Sequence, residues 1–169
     1  MSRLVPESDP NIIIRRANEA DLPVLGKLGA SLLLLHHAFD PDRFMSPPAD
    51  PDAAYAWFLG TQLQEADVAV FVAERGGAVI GYVYAALEPR SWKELRDEAG
   101  FIHDVVVAKE AQRLGNASTL IDKACEWLHS IGAPRVVLWT AEENVGAQQL
   151  FTRVGFRRTM IEMTRELDS

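Results

Sequence analysis

Val105-Val106-Val107 runs through Ala108-Lys109-Glu110-Ala111 into Gln112-Arg113-Leu114-Gly115-Asn116-Ala117-Ser118. This is a strand end, a short turn and the opening of a helix. Such a junction leaves backbone N–H groups without intrahelical partners, and their dipoles sum to a partial positive charge. That suits an anion, above all a phosphate or pyrophosphate. Gly115 has no side chain and Ala117 only a methyl group, so a ligand can approach the main chain closely. Arg113 and Lys109 can add charge-assisted contacts. Two other phosphate-binding patterns are excluded. A P-loop needs Gly-Lys-Ser/Thr after four spacer residues, and a dinucleotide fingerprint needs three glycines where this stretch has one. Alone, the pattern also fits an ordinary tight turn into a helix.

His103 and Asp104 lie just upstream. An imidazole, with an unperturbed pKa near 6.5, can accept a proton at neutral pH. Strict alternation along a strand puts His103 and Asp104 on opposite faces, so at most one of them is expected in a cleft. Tyr82 and Tyr84 share one face of a neighbouring strand, where they are either sheet packing or proton donors. His36 and His37 end a helix and point in different directions, a poor metal pair, and no metal site is expected. Cys125 reads as a small packing residue.

The elements that must position these residues follow from pattern. Ile12–Arg16 reads as a β-branched strand. Asn18 or Asp21 caps a helix whose leucines at 25, 28, 32 and 35 keep helical spacing, with Pro23 tolerated in the first turn. Residues 39–51 form a Pro- and Asp-rich loop. A second helix from about Asp52 carries Tyr55, Phe58, Leu59 and Leu63. Residues 68–73 and 79–87 form a hairpin around Arg75-Gly76-Gly77, and residues 91–99 are a short helix or an excursion. Strand 101–107, a helix from Gly115, strand 135–139, helix 144–154 and a closing strand over Phe156–Arg165 complete the order. This is an α/β (α+β layer) fold with a mixed sheet flanked by helices.

The 169 residues are 48% hydrophobic and 24% charged, enough for one domain with a real core. Residues 1–10 read as a flexible tail and 11–169 as the domain. The longest aliphatic run is Leu32–Leu35, so no membrane span is expected. No secretory signal is visible, and with a single cysteine the expected address is cytoplasmic. The net charge of -7 disfavours nucleic acid and suits cationic partners, although solubility alone is the stronger explanation of it.

Further along stands Asn144-Val145-Gly146-Ala147-Gln148-Gln149-Leu150-Phe151, ending in Gly155-Phe156. Together with Gln112-x-x-Gly115-x-Ala117 it resembles the GNAT superfamily of acyl-coenzyme A-dependent N-acyltransferases. Their pyrophosphate loop reads Arg/Gln-x-x-Gly-x-Gly/Ala, and a later Asn-x-x-Ala helix ends in Gly-Phe. Ile14-Arg15-Arg16-Ala17 with Asp21 is similar to the family's first strand and helix, so the resemblance covers residues 12–167.

The resemblance implies a mostly antiparallel central sheet with a splayed strand pair that holds acetyl-coenzyme A as co-substrate. Val105, Val106 and Val107 would pair with the pantetheine arm through the main chain. Gln112, Arg113, Leu114, Gly115, Asn116, Ala117 and Ser118 would wrap the pyrophosphate. Asn144 would bond the pantetheine arm, with Ala147 and Phe151 beside the cofactor. The reaction would be direct attack of a primary amine of a small molecule or peptide on the thioester. His103 stands where many members carry a basic Glu, with Asp104 next to it. Phe151 stands where they often carry an acidic Tyr, which leaves Tyr84, Tyr82 or water to protonate the thiolate. The alternative is a non-catalytic acyl-coenzyme A-binding or sensing module of the same fold. The first helix and the acidic loop after it, Asp40 to Asp52, would shape the amine pocket. Homodimers are common in the family.

Overall fold

The structure, a computed structural model, describes residues 9–167. Residues 1–8 of the expected tail lie outside the described residues, as do 168 and 169. Asp9 is already tied to the body, its carboxylate 2.9 Å from Arg75.

Strand β1 (Ile12–Arg16) leads through a 3-10 turn (Glu19–Asp21) into α1 (Leu22–Phe39) and α2 (Pro51–Gln62). Three strands follow, β2 (Val68–Arg75), β3 (Ala78–Glu88) and β4 (Ala99–Val107). A second 3-10 turn (Lys109–Ala111) precedes α3 (Asn116–Ser130), β5 (Val136–Leu138) and α4 (Val145–Arg153). The sheet order is β1-β2-β3-β4-β5, antiparallel through β4 and parallel between β4 and β5. The mixed, mostly antiparallel sheet is therefore as expected. Residues 91–96 are an excursion closed by an isolated Ser91–Arg96 bridge.

Period-two alternation divides the core into two layers. Ala69, Phe71, Ala73, Val83 and Ala85 pack under Leu120, Ile121, Ala124 and Leu128 of α3 and Phe151 of α4. Val70, Val72, Tyr82, Tyr84 and Val106 face Leu25 of α1 and Leu59 of α2. Asn18 and Asp21 form a reciprocal capping box at the start of the α1 region, and Asp21 also takes a two-pronged contact from Arg15 at 2.8 and 2.9 Å.

With its lead-in turn, α1 is long and apolar enough by length and composition alone to cross a membrane. Counting aliphatic runs hides this, because Gly26, Gly29 and Ala30 interrupt the leucines without adding charge. Here the small residues close the helix against α2. A methyl group on Gly29 would sit 2.0 Å from the Tyr55 ring, so the glycine is what lets that ring lie against α1.

The closing strand expected over Phe156–Arg165 is not formed. Residues 156–167 adopt neither helix nor strand, and Met160, Ile161, Met163 and Leu167 are exposed. Alternation specifies the two faces of a strand but does not supply an edge to pair with. The edge strand β5 is only three residues long and ends before the exposed Trp139.

Candidate active site

The site is organised along β4, and its first feature is a defect in strand pairing. Tyr84 pairs with Asp104 but Ala85 with Ile102, which leaves His103 as the extra residue of a β-bulge. A bulge bends the strand and re-aims side chains. His103 and Asp104 consequently line the same cavity. This corrects the expectation that alternation admits at most one of them.

His103 projects into a more open environment than its neighbour. Its ring stacks on Phe101 at 5.1 Å and lies 4.9 Å from the Tyr84 ring. Nε2 lies 2.8 Å from the Glu88 carboxylate. A carboxylate can only accept, so Nε2 carries the hydrogen and Nδ1 holds the lone pair in the neutral ring. The β3 carboxylate thus fixes both the ring plane and the tautomer.

Asp104 is only 9% exposed. The hydroxyls of Tyr55 (2.8 Å) and Tyr82 (2.9 Å) both donate to its Oδ2. Burial pushes its pKa up, and the two phenolic hydrogen bonds oppose that rise. The phenols are in turn pushed up by burial first and by the Asp104 charge second, so both stay protonated donors. Tyr84 is also raised, to about 12, chiefly by burial, and its hydroxyl donates to Gln62 Oε1 at 2.8 Å. It therefore touches His103 by its ring, while its hydroxyl is committed to α2.

The cavity is about 220 Å³. Leu32, Leu33 and His36 of α1 form one side, and Phe44 and Met45 of the following loop form another. Tyr55 completes the lining with His103 and Asp104. His36 Nδ1 lies 2.8 Å from the Leu32 carbonyl, so it is the donor and Nε2 is left as an acceptor. Two acids of the neighbouring loop serve the backbone. Asp40 accepts from the N–H groups of Asp42 and Arg43, and Asp50 caps α2.

Beyond the bulge, β4 has a free edge. Its pairing with β5 covers only Gly100, Phe101 and Ile102, so among the described residues 103–107 have no strand partner on that side. The edge ends at the expected turn. Arg113 (φ 63°) and Gly115 (φ 81°) both occupy the left-handed region, which glycine tolerates and other residues adopt at a cost. Asn116 is buried and donates to the Ala111 carbonyl at 2.8 Å, and Gln112 donates to the Val107 carbonyl at 3.0 Å. These two amides hold the turn in shape. The first helical hydrogen bond of α3 runs from Thr119 N–H to Gly115, so the N–H groups of Asn116, Ala117 and Ser118 precede the helical ladder. Leu114 is exposed.

Asn144 caps α4, its Oδ1 accepting from Ala147 N–H at 3.2 Å. Phe151 is buried in the core with its edge toward Phe156. The structure thus gathers His103, Asp104 and the Tyr84 ring, and sets the free valine edge and the glycine turn along the same strand. Glu88 escaped the sequence reading, in which Tyr55 is only part of a helix face and His36 only a poor metal ligand, while Phe44 and Met45 fall in the loop expected to shape the amine pocket; none has a fixed spacing from β4. No group of three or more side chains able to hold a metal occurs among the described residues.

A mostly antiparallel sheet whose last two strands part beside a left-handed turn into a helix sets the class of fold, and the comparisons specify the family. The Acetyltransferase (GNAT) family model matches residues 32–156, well over half of the chain. The chain belongs to the GNAT acetyltransferase family. An uncharacterised N-acetyltransferase of Methanocaldococcus jannaschii is 31% identical over 100 residues, 59% of this chain and 44% of that one. A mycothiol acetyltransferase of Parafrankia sp. is 31% identical over 99 residues, covering 52% of this chain and 31% of that one. The chain spans under half the length of the curated relatives it matches. Among solved structures, an aminoglycoside N-acetyltransferase in complex with coenzyme A superposes with a TM-score of 0.72 at 21% identity, covering 94% of this chain and 95% of that one. At that identity the likeness concerns the fold.

Proposed function

We propose that the protein transfers an acetyl group from acetyl-coenzyme A to a primary amine by direct attack. One observation carries this reading: the unpartnered β4 edge over residues 103–107 leads directly into the left-handed turn at Arg113 and Gly115. The main chain of Val105, Val106 and Val107 would take the pantetheine arm as an added strand. The turn from Gln112 to Ser118 would take the pyrophosphate, with Asn144 and Ala147 near the arm. Acetyl-coenzyme A supplies the acyl group as a thioester.

His103 is the proposed base, since Glu88 leaves Nδ1 as its lone-pair nitrogen. The bound ammonium first gives one proton to His103 Nδ1, which frees the nitrogen lone pair. The N–C bond then forms, the C–S bond breaks, and the second N–H proton passes through water to the thiolate. Phe151 cannot donate a proton and the Tyr84 hydroxyl is committed to Gln62, so water is the proposed acid for the thiolate. The same reading places the enzyme in the cytosol, where a free thiol such as Cys125 stays reduced. It also makes the enzyme a homodimer, with residues 156–167 as the contact.

The test is coenzyme A release with a panel of amines, run beside calorimetry of acetyl-coenzyme A binding. Binding with turnover of at least one amine is the expected result. Phe151 in place of an acid favours the sensing module as the second reading, and binding without turnover of any amine would install it.

A further inference from the structure

We infer that the acceptor is a small amine with a single ammonium group on an apolar body, and that Asp104 binds its nitrogen. This deepens the reading above and rests on it. Among the described residues lining the cavity, Asp104 is the only carboxylate, and the apolar Leu32, Leu33, Phe44 and Met45 make half of the wall. Both tyrosine hydroxyls converge on Oδ2, so Oδ1 is the oxygen left for a ligand N–H.

A buried ammonium needs a counter-charge, and this cavity offers one. A second or third ammonium would lie against leucine and aromatic carbon without a partner, which disfavours polyamines and aminoglycosides. The loop acids Asp40, Asp42, Asp50 and Asp52 keep their charge, but none of them lines the cavity. His36 offers Nε2 as a neutral acceptor for another ligand N–H. Size points the same way. At about 220 Å³ the cavity lies below the roughly 300–1,000 Å³ of drug-sized sites.

The experiment compares kcat/KM for phenethylamine and hexylamine with that for spermidine and neamine at saturating acetyl-coenzyme A. The monoamines should be preferred by about tenfold or more, since a polycation leaves buried charge unpaired. Asp104→Asn should raise the monoamine KM by about tenfold or more while acetyl-coenzyme A affinity in calorimetry stays unchanged. Met45 is 69% exposed, so Met45→Asp adds a carboxylate at the rim without touching the core. It should move the selectivity ratio toward spermidine by about threefold or more.

Preference of the wild type for spermidine or neamine would overturn the inference and leave the acetyltransferase reading intact. An unmoved ratio in Met45→Asp, or an unmoved monoamine KM in Asp104→Asn, would overturn it too. Acetyl-coenzyme A binding with no turnover of any amine would remove both the inference and the reading beneath it.

Discussion

His103 reaches the cavity because one residue of β4 has no partner on β3, and Glu88 then fixes which nitrogen can accept a proton. Replacing His103 with Ala should lower kcat by about a hundredfold near neutral pH, the lower end of the range for a general base. Acetyl-coenzyme A affinity should not change, since the turn that would hold it lies beyond the strand. Glu88→Gln should cost less than His103→Ala and alter the pH–rate profile, because an amide can accept from Nε2–H but carries no charge. A pH–rate profile identical to wild type in both variants would move the base role elsewhere. Gly115 presents a different kind of constraint. Its φ of 81° and its place where the pyrophosphate would lie make Gly115→Val a double insult, of backbone and of space. Calorimetry should show acetyl-coenzyme A binding weakened by at least about tenfold, one step of 1.4 kcal/mol. The glycine turn was legible in the sequence because its spacing is local. The shared orientation of His103 and Asp104 was not, because a bulge is a mismatch in counting between two strands and neither strand alone reveals it.

At the scale of elements, two buried carboxylates pin helices to the sheet with opposite dependence on pH. Asp21 joins the start of α1 to β1, and its pKa is lowered chiefly by the Arg15 hydrogen bonds. Its contribution is present above the unfolded carboxylate value and is lost as pH falls through the depressed native value. Asp21→Asn should therefore cost about 1–3 kcal/mol at neutral pH by denaturant titration, and progressively less toward acid. Asp104 joins α2 to β3 and β4 through Tyr55 and Tyr82, but burial raises its pKa. The native state then holds its proton more tightly than the unfolded chain, so stability is greatest below the unfolded value and declines as pH rises through the native one. Asp104→Asn keeps an oxygen for both phenols and removes that decline. The stability of this variant relative to wild type should thus improve as pH rises from 4, and a flat difference would show that the carboxylate is not desolvated as described. Apart from the closing strand expected over 156–165, helix and strand positions were readable from the 3.6 and 2.0 periodicities. The link between them was not, because Tyr55 meets Asp104 only through Gly29, where α1 and α2 come together.

For the whole molecule, the open question is the edge of the sheet. β5 is the terminal strand of the order β1-β2-β3-β4-β5, and its outer backbone groups have no strand beside them among the described residues. The strand-patterned segment 156–167 forms no pairing of its own and exposes Met160 (77%) and Met163 (86%) along with Ile161 and Leu167. It is held at its start by Phe156 against Phe151, and further along Arg43 Nη2 donates to Glu162 at 2.9 Å, next to the loop that carries Phe44 and Met45. An unpaired edge and an unpaired apolar run in one chain can satisfy each other across a two-fold axis, since such an interface is self-complementary. Burying a large apolar side chain is worth about 1.5–3 kcal/mol, so Ile161, Met163 and Leu167 on one face of each chain would be a substantial contribution to association. Sedimentation at micromolar concentration should accordingly give twice the mass of the chain. Ile161 and Met163 share a face at strand spacing, and the double substitution Ile161→Asp with Met163→Asp should return the monomer with an unchanged circular dichroism spectrum. A monomeric wild type would dismiss the dimer, and a dimeric double variant would place its contact on another surface.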